Sequence, residues 1–275
     1  MRAFNFHLIH EHSDRMLSLG RGILDLTPAY NGLIFSDYIG NPVAQILQHG
    51  IPPPTVPAYL TWALRRRPTP ELLEVWRWMV QNRQTDAPGA ASLTTELCHR
   101  EEYGTAAQLW AAWLGSDRGD YLKKDFLYNT RFAREPLKTP LDWAIYPVNG
   151  VETNRADGLA ITFSGNANLA YRNVRQMSAV RPGTYIFTAV VEATEITTNE
   201  GPYFHLFDPA KKGGIDLVTD KIRGTLPRTK MEERFTVGPG TEAIVTQLER
   251  SPSDRVDSKI AGTLRIHEIS LRRVE

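Results

Sequence analysis

A single cysteine, Cys98, is all that the 275 residues contain, so neither a disulfide nor a cysteine-rich zinc site can form within the chain. An excess of one charge is missing too. The 32 basic and 31 acidic residues leave a formal net charge of +1, too little field to draw the molecule to nucleic acid, which is not an expected partner. No stretch reaches the roughly 20 apolar residues that cross a bilayer, so no transmembrane segment is expected. Met1-Arg2 leads into a His-rich run from His7 to His12 and not into an apolar signal segment. That opening reads as helix and suits a piece of a longer chain whose upstream part carries any targeting signal; the compartment is left open.

Catalytic patterns are scarce as well. Gly-x-Ser-x-Gly, the Walker-type Gly-Lys-Ser/Thr and the dinucleotide Gly-x-Gly-x-x-Gly are absent. Cys98 and His99 are adjacent on a helix and so point about 100 degrees apart, a poor geometry for a nucleophile and its base. No pair of carboxylates is marked by its surroundings for glycoside hydrolysis. His7 and His10 are three apart and could share a helix face, but His12 points elsewhere and no His-Glu-x-x-His is present, so solvated imidazoles are preferred to zinc ligands. The chain is therefore expected to lack enzymatic activity, metal and cofactor.

What the sequence does have is two hydrophobic rhythms. Leu72, Leu73, Val75, Trp76, Met79 and Val80 form one broad arc at 3.6 residues per turn, which predicts an amphipathic helix from Pro70 to Arg83. Trp78 lies opposite that arc, as on a helix packed from two sides. Further helices are predicted over Phe4–Leu26, Pro42–His49, Ala91–Arg100 and Ala106–Trp113, with Gly115 ending the last. Ile51-Pro52-Pro53-Pro54 interrupts the series. Beyond Tyr121 the period becomes two. Leu159, Ile161 and Phe163 alternate with Ala160, Thr162 and Ser164, and Tyr185, Phe187, Ala189 and Val191 continue the pattern. Other strands are expected over Asn168–Val174, Tyr203–Phe207, Ile215–Val218, Glu233–Val237, Ala243–Leu248 and Thr263–Leu271, divided by Gly- and Pro-rich turns. The fold class is then α + β multidomain: a helical repeat-like domain over residues 1–120 and an antiparallel β-sandwich over 129–275.

Four short landmarks give the second half a family likeness: Asn129-Thr130-Arg131-Phe132 at its start, Asp142-Trp143 soon after, Arg181-Pro182-Gly183-Thr184-Tyr185 before a strand, and Ile266 to Leu271 at its end. In this order they resemble carbohydrate-binding modules of the galactose-binding-like jelly-roll kind. The helix pair with small Ala106 and Ala107 beside Trp110 and Trp113 resembles tetratricopeptide repeats. The combination resembles bacterial proteins associated with polysaccharide production or export. The resemblance implies a glycan ligand for the sandwich and protein partners for the helices. It also implies carboxylates after the opening Phe and before the final strand that hold calcium. Here those places carry Ala133, His267 and Glu268, and no calcium is expected.

Sugars are recognised by flat rings and planar amide or guanidinium groups. Tyr171, Arg172, Asn173, Arg175 and Gln176 supply such types on one strand, and Tyr203, His205 and Asp208 on or after another. Strict alternation places Arg172 and Gln176 on one face, and they are the favoured carbohydrate contacts, with a solvated edge strand as the bland reading. Trp143 is a candidate platform or a core plug. The charged connection from Arg250 to Lys259 offers Arg250, Asp257 and Lys259, or else is an ordinary solvated loop. The carbohydrate-binding set is thus Trp143, Arg172, Gln176, Tyr203, Arg250, Asp257 and Lys259. Two other functions stay open: a purely structural component of an envelope polysaccharide machine, and, last, a carbohydrate-active enzyme.

Overall fold

The computed structural model describes residues 13–210, 214–256 and 258–274; His7, His10, His12 and Asp257 lie outside them. The chain divides into two compact units, one running to Glu96 and the other covering Leu97–Glu275.

The first unit is helical: α1 (Ser13–Leu26), α2 (Asn31–Asp37), α3 (Val43–Gln45), α4 (Val56–Ala63), α5 (Thr69–Gln81) and most of α6 (Ala87–His99). α3 runs on into a wide π turn, Ile46–Gly50. There Tyr38 Oη donates to the carbonyls of Leu17 and Gly50, and a side chain on Gly50 would collide with Leu17 and the Tyr38 ring. Four of the six residues of the arc read on α5, Leu72, Val75, Trp76 and Met79, are in the core, whereas Leu73 is half-buried and Val80 is exposed; α5 packs on both α4 and α3. The three prolines do break the helical series, yet Pro57 at the start of α4 lets a new helix begin at once. Arg67 is buried and donates to the carbonyls of Tyr38 and Ile39, closing the C-terminal end of α2.

The second unit holds the end of α6, α7 (Tyr103–Leu114) and ten strands. These are β1 (Ala144–Ile145), β2 (Val151–Asn154), β3 (Leu159–Ser164), β4 (Tyr171–Ala179), β5 (Gly183–Ile196), β6 (Tyr203–Phe207), β7 (Asp216–Val218), β8 (Gly224–Val237), β9 (Ala243–Arg250) and β10 (Ala261–Val274). They form two five-stranded sheets, β1-β4-β9-β6-β7 and β2-β3-β10-β5-β8, and every strand pairing is antiparallel. Successive strands from β3 to β6 alternate between the sheets, so each crossover adds inward-facing apolar residues to a shared core, the β-sandwich solution. Val174, Phe204, Leu206, Ile244 and Leu248 come from one sheet; Ile161, Phe163, Phe187, Val191, Leu264 and Ile266 come from the other. The outer strand β8 shows the two-residue rhythm of half-exposed and exposed positions, which is why only its last residues were legible as strand.

The four landmarks turn out to be joints of the sandwich. Asn129 and Phe132 adopt positive φ, and the Asn129 side chain brackets the loop by bonding both N–H and carbonyl of Arg134. Asp142 is buried and accepts from the amides of Leu137 and Trp143. Tyr185 Oη both donates to the carbonyl and accepts from the amide of Arg181, fixing the turn before β5. The three-residue step from Ile266 to Ile269 marks a bulge in β10 at His267, which turns both isoleucines inward across a change of register.

α7 packs on β4. Trp110 meets the Tyr128 ring edge-on at 6.2 Å, and Tyr121 lies 5.9 Å from the same ring.

Candidate functional site

The outward face of the β1-β4-β9-β6-β7 sheet is built as three cross-strand rungs. Because Val174, Leu248 and Phe204 stand in one row and face the core, the residues on either side of each point outward. The middle rung runs Ala144, Arg175, Gln247, His205, Val218. One rung over, Met177, Val245, Phe207 and Asp216 are in register. On the opposite side Glu249 lies beside Tyr203, and β4 presents Arg172 and Asn173 there.

A bulge makes this arrangement. Between Tyr171 and Val174 β4 has one more residue than β9, so Tyr171 and Arg172 do not simply alternate through to Gln176. Where strict alternation puts Arg172 and Gln176 together, the bulge puts Arg172 outside beside Glu249 and Gln176 inside, fully buried, bonding both the amide and the carbonyl of Tyr128.

Glu249 is the centre. At 4% exposure its carboxylate meets His205 Nδ1 at 2.8 Å, Gln247 Nε2 at 2.8 Å, Tyr203 Oη at 3.4 Å and Arg172 Nε at 3.3 Å. The second nitrogen of His205 meets Asp216 at 2.6 Å. Ionised carboxylates only accept, so both His205 contacts are hydrogen bonds together when the ring carries two N–H groups. Around this buried network stand the open groups. Arg172 has a 71% exposed side chain, Asp216 has a 78% exposed one, and Arg175 is exposed with its guanidinium 5.9 Å from the centre of the Tyr146 ring. Tyr146 is 50% exposed, Phe207 is half-buried and Tyr203 is buried. The face thus offers planar groups on both flanks of a polar floor, with one ring widely open.

The other residues read as contacts in the sequence sit elsewhere. Trp143 is buried in the core, 4.9 Å from Phe132, its Nε1 donating to the carbonyl of Asn129. Arg250 is 1% exposed and donates to Asn168 Oδ1 and to the carbonyls of Leu169, Glu200 and Ser258. Lys259 is exposed on the following loop, where its carbonyl accepts from Thr197. Asp208 is buried, accepting from Thr241 and from the amide of Ala210. Among the described members of the set, Arg172 and Tyr203 are therefore the two that share the outer face. Gln247, Glu249, Asp216 and Tyr146 were missed; the signal was there in Gln247 and Glu249, two long polar side chains in alternation about Leu248 on β9.

At the places expected of a calcium site, Glu268 pairs with Arg131 at 3.0 Å, and His267 Nε2 meets Glu192 at 3.1 Å. A guanidinium faces Glu268 and an imidazole faces Glu192, and among the described residues no cluster of His, Cys, Asp and Glu could hold a metal ion.

No protein-family model matches the chain, and no curated protein matches it. Among solved structures, a CBM4 carbohydrate-binding module is 15% identical with a TM-score of 0.36, covering 54% of this chain and 99% of that one. The CBM22-1 xylan-binding domain from Paenibacillus barcinonensis is 14% identical with a TM-score of 0.30, covering 53% and 92%. The enzymatically active domain of bacteriophage CBA120 tailspike protein 4 is 13% identical with a TM-score of 0.35; the match covers 55% of this chain and spans only 21% of that one. At these scores and identities the matches carry nothing about function, which has to come from the face itself.

Proposed function

We propose that the outer face of the β1-β4-β9-β6-β7 sheet binds a glycan and that the chain is a binding protein without catalysis. The observation that carries this is the three-rung array: guanidinium, amide and imidazole groups locked around Glu249 between the rings of Tyr146 and Phe207. Preset planar donors beside rings are what sugar hydroxyls and pyranose faces need, and holding them in place beforehand lowers the entropy lost on binding. Hydrolysis is disfavoured by the same geometry. Glu249 and Asp216 lie on opposite nitrogens of His205, so an imidazole fills the gap that a scissile bond has to enter between two carboxylates.

Protein contacts are assigned to the helical unit, where Ala44, Leu47, Glu74, Arg77 and Trp78 line a groove of about 380 Å³. A repeat-type platform joined to a glycan reader suits polysaccharide production or export. A second reading has its own support: Gln247 and Glu249 are almost wholly buried and only one ring is widely open, as on a face that a protein covers in an assembly.

Affinity electrophoresis against a panel of neutral and acidic polysaccharides separates the two. Glycan binding predicts retardation of the intact chain by at least one polymer, weakened about tenfold or more by Tyr146→Ala, since ring stacking on an exposed face contributes on the order of 1 kcal/mol or more. No retardation by any polymer would leave the assembly reading in its place.

A further inference from the structure

The open charges of this face are segregated by strand, with Asp216 on β7 and the two arginines on β4. Glu249 is buried under four polar side chains, and Asp216 is exposed with one oxygen on His205. Among the described residues the Arg175 side chain has no carboxylate partner, and its guanidinium lies over the Tyr146 ring. Arg172 approaches Glu249 with its Nε at 3.3 Å, yet its side chain is 71% exposed. The two arginines stand on adjacent outward rungs of β4, whose backbone positions are on the order of 7 Å apart.

An exposed guanidinium braced against a ring is preset for a planar anion, which it grips through two parallel N–H···O bonds. Neutral sugars offer such a pair hydroxyl oxygens but no countercharge, and a chain with a net charge of +1 gives no general attraction for polyanions. The cationic preference is local to β4.

Resting on the reading that this face holds a glycan, we propose that its ligand is an acidic polysaccharide, with a uronate carboxylate gripped by Arg175 and a second anionic or hydroxyl group met by Arg172. Tyr146 then does two things: it fixes the Arg175 plane and covers the apolar side of the same sugar ring. Glu249 works from beneath, holding Arg172 on the face by contact with its Nε while most of that side chain stays open to a ligand.

The test compares the intact chain on polygalacturonate and on its fully methyl-esterified form, which share a backbone and differ in carboxylate charge, with alginate, a glucuronan, xylan and a β-glucan beside them. Binding to a carboxylated polymer is expected, at least about tenfold weaker to a neutral or esterified partner and falling as salt rises past about 0.15 M. Arg175→Gln removes that preference, whereas Arg175→Lys keeps the charge and recovers only part of it because the fork is lost. Arg175 is exposed, so circular dichroism of both variants should match the parent. Binding of neutral and acidic polymers alike, or of neutral ones alone, overturns the acidic ligand and leaves glycan binding standing. Binding of none overturns both.

Discussion

Asp142 lies fully buried at the first joint of the sandwich, with two backbone amides donating to its two oxygens. Loss of water around the carboxylate outweighs those bonds and pushes its pKa up to about 6 from 3.8. A folded-state pKa above the unfolded one means that the native state binds the extra proton between about pH 4 and pH 6. Stability therefore falls as pH rises through that window and stays lower above it. At about 1.4 kcal/mol per pKa unit the effect is roughly 3 kcal/mol. Asp142→Asn cannot titrate, so the stability of the parent relative to the variant should drop by that order between pH 4 and pH 7 in urea melts; parallel curves would mean that the carboxyl titrates as it does in the unfolded chain. Glu249 shows the contrasting use of a buried acid, surrounded by side chains that also serve the surface above it.

Strands depend on where the alternation is interrupted as much as on where it holds. The rhythm of β3, β5, β6 and β9 was legible because one face of each is apolar and buried, and the order Leu159, Ile161, Phe163 has no other economical explanation. The bulge in β4 was not, because nothing in Tyr171-Arg172-Asn173-Val174 distinguishes two residues opposite one from a regular pairing; that depends on the partner strand. One unseen residue of slippage moved Gln176 from the expected face to the core and brought Arg172 to Glu249. β1 and β2 escaped notice as two- and four-residue edges. α2 was hidden between turn-like segments, and α4 by the prolines before it. The resemblance motifs proved easier to read than the outer face of this sheet because they are local in sequence, whereas the face joins residues from β4, β6, β7 and β9. β10 offers a test at this scale. Gly262 has φ +104, and a Cβ there would run into the backbone carbonyls of Thr194 and Glu195. Gly262→Ala is expected to cost about 2 to 4 kcal/mol, read as a lower midpoint in thermal melts; an unchanged midpoint would mean that β10 and β5 separate freely at that point.

For the whole molecule, the sandwich begins well before its first strand. Asp125 accepts from the amides of Leu127 and Leu271, Phe126 donates to the carbonyl of Leu271, and Trp110, Tyr121 and Tyr128 form one aromatic group beside β4. A fragment of residues 97–275 should therefore melt cooperatively, whereas one of residues 129–275 should melt at a clearly lower temperature or not fold, as followed by circular dichroism. Equal midpoints would show that α7 contributes nothing to the sheets. Arg250 has a different reach. Three of its four acceptors are main-chain carbonyls, drawn from the segments around Leu169, Glu200 and Ser258. A clamp that grips backbone is indifferent to which side chains those segments carry, so this end of the molecule can exchange its outward residues over evolutionary time, or in the laboratory, and keep the same contour.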